Sequence, residues 1–258
     1  MTGASAVVAL FLLEWSAGWV AGATWTQSWF VVSRGHFKIT AYCALALAAL
    51  AVLAYGNAAG PSLQRTLVVA FAAATLLYLL VQYSRTDWPG VVAGVLVSVL
   101  GIAALLASAS EVPGWPGALA ALGVVSGMLL LGAVTNGMML GHWYLNQPGL
   151  KPWALARLTG LGLAVTAACA LAAVAGAGRL TSSATRGAVL GIPGFGDSFG
   201  VAFFVVGLGL LAFTGGIVWM ARRCVRIRSI QSATGLYYVA LLTAGVAEFL
   251  LLYLMVNP

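Results

Sequence analysis

The sequence predicts an all-α integral membrane protein with eight transmembrane helices. Three observations predict it. Hydrophobic residues make up 62% of the chain and charged residues only 7%, where soluble domains carry about 25% charge. So few charges cannot cover a water-facing surface. Apolar stretches recur along the chain, each long enough to cross about 30 Å of hydrocarbon as a helix. Runs such as "ALALAALAVLAY" and "VVAFAAATLLYLLV" lack the alternation that a membrane β-barrel strand shows.

The elements follow in order. Span 1 covers 4–32. No basic region precedes it, so it reads as a first helix and not as a cleavable signal. It carries tryptophans in pairs, Trp15 with Trp19 and Trp25 with Trp29, a stripe that suits a lipid belt or helix packing. Span 2 covers 39–57 and ends at "YGNAAGPSLQ". Span 3 covers 66–83 and ends at "SRTDWPG". Span 4 covers 90–109 and ends at "SEVPGWPG". Span 5 covers 117–145 and stops at "NQPG", where the proline cannot continue the helix and the glycine turns the chain. Span 6 covers 153–177, span 7 covers 198–221 and span 8 covers 232–256. The longest separator, 178–197, is rich in Ser, Thr and Gly. Either an ordered cap or a mobile loop fits it.

Orientation follows from the basic residues. The loops after spans 1, 3, 5 and 7 carry Arg34, Lys38, Arg85, Lys151, Arg157, Arg222, Arg223, Arg226 and Arg228; the other side carries Arg65, Arg179 and Arg186. The first set is expected to be cytoplasmic. Both termini then lie outside, across a plasma or inner membrane. The cluster "RRCVRIR" (222–228) suits anionic lipid or a cytoplasmic partner subunit docking through Arg222, Arg223, Arg226 and Arg228. The net charge of +7 is parcelled into short loops, so nucleic acid is not an expected partner.

The chain reads as a single polytopic domain, 1–258. "WFVVSRG" (29–35) and "WYLNQPG" (143–149) each close a long span with aromatics and a glycine turn. They suggest two four-helix halves, 1–110 and 117–258. Four spans per half gives both halves one orientation, a parallel repeat about the membrane normal. Two similar interface belts would leave the same trace.

Several chemistries find no signature. The cysteines Cys43, Cys169 and Cys224 form no CxxC, so neither a zinc site nor a redox pair is indicated, and they read as small apolar filler. There is no Walker A, HExxH, GxSxG or CxxCH sequence. The two lysines, Lys38 and Lys151, lie outside the spans, where no retinal would attach.

Charges within the spans are the sharper signal, because an acid in hydrocarbon is costly. Glu14 lies fifteen residues before Trp29, about 22 Å along a helix. Glu248 lies sixteen residues after Ser232, about 24 Å. Both fall in the outer third of the membrane, at one level. They are candidates for proton handling, or for structural bonds to a neighbouring helix or partner. Glu111 and Asp197 sit in loops on the same side. Near the opposite face, His36 follows a glycine turn and His142 precedes the stop in "MLGHWYLNQPGLKPW" (139–153). An interfacial belt is one reading of these histidines. Axial ligation of one b-type haem is another, and quinone binding by His142 a third. No metal site is expected of two histidines without nearby acids. Asn136 needs a partner in mid-membrane, either a helix or a ligand.

The last span, with Gly245 and Glu248 in a Gly-x-x-Glu pattern, resembles the final helix of the membrane-anchor subunits of the DMSO-reductase and polysulfide-reductase class. The span count and short loops are similar too. The resemblance implies a quinone-interacting anchor for an electron-transfer complex, with partner subunits carrying the redox centres and usually no haem of its own. Two other functions suit the residues. One is a proton-coupled transporter or channel, with "AFTGGIVW" (212–219) as a broken helix. The other is a structural or assembly subunit without a cofactor.

Overall fold

A computed structural model describes residues 3–57, 62–147, 149–182 and 199–257. Nine helices are present among the described residues. They are α1 (Ala4–Gln27), α2 (Arg34–Asn57), α3 (Ser62–Val81), α4 (Trp88–Ala109), α5 (Gly117–Trp143), α6 (Trp153–Ala175), the short α7 (Ala177–Ser182), α8 (Phe199–Arg226) and α9 (Ile230–Val256). All but α7 are long and apolar enough to cross a membrane, so the chain is a multi-pass membrane protein. Proline sets several starts. Pro89 occupies the first turn of α4, while Pro116 and Pro152 precede α5 and α6, positions where a missing N–H costs nothing.

Three boundaries differ from the sequence expectation. Span 1 stops at Gln27, and the chain then turns with Phe30 at φ 55°. Helix α2 begins at Arg34, so Arg34, His36 and Lys38 belong to its first turns rather than to a loop. Helix α8 runs unbroken through 212–219 and on to Arg226. The stretch "AFTGGIVW" is therefore no break. Thr214 returns its hydroxyl to the Leu210 carbonyl and also meets Thr243 of α9 at 2.7 Å. Arg222, Arg223 and Arg226 extend that helix, and Arg228 turns the chain at φ 61°. At 28 residues, α8 is about 42 Å long, more than the hydrocarbon needs, and its basic end projects beyond it.

Helix contacts fall into two rings. In the first, α1 touches α2 and α4, and α3 closes the ring between them. In the second, α5 touches α6 and α9, and α8 closes it. The rings meet mainly through α1 against α5. Two further contacts are reciprocal, α1 with α9 and α5 with α4, and α2 also touches α5. This contact order is two-fold symmetric, with α1 and α5 at the centre. Accordingly, two thirds of α1's apolar stretch is buried, against one third in α2, α3, α4 and α8.

Lipid tails are as apolar as leucine, so close backbone approach and polar bonds must hold such helices together. Glycines make the approach here. A Cβ on Gly18 would stand 1.9 Å from the Met128 carbonyl oxygen, and one on Gly132 would stand 2.2 Å from that of Gly18. The two glycines are 114 residues apart, the spacing that also separates Ser33 from Gln147, which are hydrogen-bonded to each other. Polar bonds add to the contact. Trp15 Nε1 donates to Thr135 Oγ1 at 2.9 Å, and Asn136 Nδ2 donates to the Trp19 carbonyl at 3.1 Å. Ser16 Oγ donates to the Ala44 carbonyl of α2 at 2.8 Å. Gln27 and Gln82 exchange amide bonds of 2.9 and 3.2 Å between α1 and α3.

Candidate functional site, a buried acid pair

Glu14 and Glu248 stand at one level for a reason visible in the chain ends. The Gly3 amide donates to Asn257 Oδ1 at 2.9 Å, tying the start of α1 to the end of α9. From those ends, Glu14 is ten residues in and Glu248 eight, about 15 and 12 Å. There the two carboxyls lie close enough to feel each other's charge. Both are enclosed, at 0% and 3% exposure.

Their surroundings are unequal. Neither Glu14 oxygen has a hydrogen-bond partner. Glu248 Oε2 accepts from Cys169 Sγ of α6 at 3.4 Å. The space for Glu248 comes from Gly127 of α5, where a Cβ would stand 2.3 Å from Oε1. Four helices thus converge on two acids. Two carboxyls set together out of water form a place where a proton can be held between them.

A pocket of about 30 Å³ reaches Glu248 from the terminus side, past Ser126 and Cys169. It has room for one or two waters. Trp115, Leu180 and Met255 line its mouth. Leu180 belongs to α7, so the first part of the 178–197 segment is a helical turn over the pocket. Arg186 and Asp197 of that segment lie outside the described residues.

On the flank facing the membrane, α1 and α9 enclose an apolar groove of about 490 Å³, lined by Phe11, Trp15, Tyr238, Leu242, Gly245 and Phe249 among others. Phe11 packs edge-on against Phe249 at 5.7 Å. Phe11 and Trp15 bracket Glu14 in sequence as Gly245 and Phe249 bracket Glu248. The groove wall is therefore built from the residues flanking the acids. Gly245, the glycine of the Gly-x-x-Glu pattern, has Phe11 as its neighbour at 3.8 Å from a built Cβ.

The other candidates lie elsewhere. His142 is exposed at the end of α5, while His36 is fully enclosed, its ring 5.6 Å from Trp143 and 5.1 Å from Phe37. The two imidazoles do not share one space. Asn136 spends its amide nitrogen on the carbonyls of Trp19 and Gly132, which joins α5 to α1. Around the helix stop, Gln147 clamps the 28–33 turn, donating to the Val31 carbonyl at 2.8 Å and accepting from the Ser33 amide at 2.9 Å. Tyr144 donates to the Lys151 carbonyl at 2.7 Å, and burial pushes its hydroxyl up to about 12. On the basic face Arg34 pairs with Asp87 at 3.0 Å. Arg157 stacks on Trp153, and Arg223 on Trp219, with guanidinium carbons 4.6 and 5.3 Å from the ring centres. Among the described residues no group of three His, Cys, Asp or Glu is placed to hold a metal.

Sequence reasoning missed Cys169 and Gly127. Cys169 was indistinguishable from filler, and Gly127 was one of 32 glycines. Only the α9 glutamate, which both face, reveals them. Compared with family profiles, curated proteins and solved structures, the chain matches none of them.

Proposed function

We propose that this protein is an integral membrane subunit that moves protons for a quinone-linked electron-transfer complex. The observation that carries the reading is the Glu14–Glu248 pair, set between a narrow pocket on the terminus side and an apolar groove open to the membrane. A groove of this size, lined by aromatics, suits a quinone ring and the start of its isoprenoid tail. Quinol oxidation releases two protons and two electrons. The protons would pass to the carboxyl pair and out along the pocket by Ser126. The electrons would go to redox centres on partner subunits, since the described residues bring together no group of three metal-ligating side chains. The enclosed His36 and the exposed His142 do not converge as a bis-histidine haem requires, so the reading uses no haem. The basic face, with Arg222, Arg223, Arg226 and Arg228, would be cytoplasmic and would meet anionic lipid or a partner subunit.

The test is purification in mild detergent, with co-purifying subunits identified, extracted quinone measured per chain, and a reduced-minus-oxidised spectrum recorded. Redox partners, about one quinone per chain, and turnover lost in E14Q and E248Q support the reading. Quinone retained at the same level in G245W, which fills the groove, removes the groove from it.

The two-fold contact order favours a second reading, a proton-coupled transporter. Its pocket is open to the terminus side. A chain that purifies without redox partners yet acidifies liposomes on addition of a solute would establish this reading instead. Intact turnover with impaired assembly in E14Q and E248Q would point to a structural subunit.

A further inference from the structure

Away from the acid pair, five unpartnered side-chain atoms lie between α1, α2 and α5, apart from the Tyr78 and Tyr237 hydroxyls on α3 and α9. His36 is fully enclosed and neither ring nitrogen has a partner. A neutral imidazole presents one donor and one acceptor, and leaving such groups unmade out of water is costly. Thr40 lies one turn deeper on the same face of α2. It is also fully enclosed, and its hydroxyl has no partner. Other buried threonines behave differently. Thr24, Thr75, Thr135, Thr166 and Thr214 each return the hydroxyl to the carbonyl four residues back. The Thr40 hydroxyl is held off its own helix.

Two more unpaired groups flank this face from α1 and α5. One is Trp19 Nε1 and the other is Asn136 Oδ1. The Asn136 nitrogen already serves two carbonyls, which assigns the free atom as the oxygen. The Ser16–Ala44 bond sets the antiparallel register of α1 and α2, and places Trp19 level with Thr40 to within about a turn. Asn136 sits against Gly22 of α1. The His36 ring faces Trp143 of α5. The four groups thus descend from the basic face between α1, α2 and α5. His36 is near the start of α2, Thr40 is about 6 Å deeper, and Trp19 is about 8 Å along α1 from Glu14.

The donor set selects the occupant. Trp19 offers only a donor, Asn136 Oδ1 only an acceptor, and His36 and Thr40 offer both. A quinone carbonyl accepts and cannot satisfy Asn136 Oδ1. A cation would leave the indole N–H unanswered. Water does both jobs, and a buried water makes two to four such bonds. We infer that His36, Thr40, Trp19 and Asn136 hold a file of internal water that relays protons between the basic face and the Glu14–Glu248 pair. Each molecule in the file accepts a proton on one side and releases one on the other, so no co-reactant is consumed. The turn clamped by Gln147, with Trp143 Nε1 on Ser33 Oγ at 2.9 Å, stands at the outer end of the file. The inference rests on the reading that the acid pair handles protons.

The test uses the full chain in liposomes with ¹⁵N-labelled histidine. Magnetisation transfer from water to the imidazoles is followed by solid-state NMR, and passive proton flux is measured alongside. Exposed His142 is the internal standard, and H142N isolates the His36 signal. His36 is expected to build up at a rate comparable to His142. T40V, which keeps the shape and removes the hydroxyl, is expected to slow that build-up several-fold and to lower the flux with it. Build-up as slow as that of buried backbone amides overturns the file. Hydrated His36 with flux indifferent to both T40V and H36F overturns the relay. Flux lost in H36F but untouched in E14Q and E248Q overturns the acid-pair reading and leaves the file standing.

Discussion

Gly127→Ala separates the site from the scaffold that holds it. The added methyl would stand 2.3 Å from Glu248 Oε1 and 2.4 Å from its carboxyl carbon. Ordinary contact begins near 3.5 Å, so the carboxyl must withdraw by about 1 Å. What moves is the tip of a rotatable side chain, and the helices need not part. Gly132→Ala is the matched control. Its methyl would stand 2.2 Å from the Gly18 carbonyl oxygen and 2.5 Å from the carbonyl carbon. That obstacle is backbone, so α1 and α5 must separate by about 1 Å along the central contact. Overpacking of this kind costs about 1–3 kcal/mol.

Three readouts tell the two apart. Thermal unfolding in mild detergent should leave Gly127→Ala near the parent, and should lower Gly132→Ala by about 2–4 °C for each kcal/mol lost. The infrared carbonyl stretch of protonated carboxyls should shift in Gly127→Ala and hold in Gly132→Ala. Proton-coupled turnover of the native complex should fall by about 100-fold in Gly127→Ala, the effect of a 1 Å misplacement at a reacting group. If Gly127→Ala melts as low as Gly132→Ala with its carboxyl band unmoved, Gly127 serves helix packing, and the cradle argument is refuted.

Other outcomes follow from the same geometry. Asn136→Ala removes the bond to the Trp19 carbonyl and should cost about 0.6 kcal/mol, at most about 1.7, read by equilibrium unfolding in detergent; a loss several times larger would mean that Asn136 holds more than the α1–α5 contact. Leu180→Ala and Trp115→Ala should speed modification of Cys169 by a small thiol reagent added from the terminus side, scored by mass spectrometry, and an unchanged rate would show that the pocket is not the way in. Breaking the Arg34–Asp87 pair with Asp87→Asn should cost only about 0.2–1 kcal/mol, since both side chains are 27% exposed, and added salt should erase the difference. The Tyr144 hydroxyl loses its proton less readily when folded, so its contribution is complete below pH 10, the usual tyrosine value, and is lost as pH rises toward about 12; Tyr144→Phe should flatten that part of the stability profile.

Much of the fold was legible because hydrophobic length and punctuation are local properties. The eight long helices follow from apolar runs and from Pro and Gly between them. The boundaries that moved are where local pattern gives way to tertiary contact. Arg34 enters α2 because its guanidinium finds Asp87 and the Ser84 carbonyl, both fifty residues or more away. Span 1 ends early because Gln147 and Trp143 hold the 28–33 turn from another half of the chain. The 212–219 glycines break nothing: a Cβ on Gly215 would be in ordinary contact with Thr166 of α6, Gly216 faces open space, and neither takes a left-handed backbone.

The site divides along the same line. That two acids would share a level could be counted from helix ends, one residue at a time. That they would lie together could not, because it depends on α9 returning to α1 across a separation of 234 positions, a closure settled by helix contacts and sealed by the Gly3–Asn257 bond. Cys169 and Gly127 carry no polar or periodic signal of their own; each matters only through the carboxyl it faces. The buried histidine teaches the reverse lesson. His36 lies beside Arg34 and Lys38 in sequence, which suits an interfacial belt as one of its readings, yet the helix that begins at Arg34 rotates it inward against Trp143. The charged neighbours face out and the imidazole faces in, because a helix places successive residues about 100° apart. A local run of polar residues therefore says that a face exists, and only the partner helix says which of them it covers.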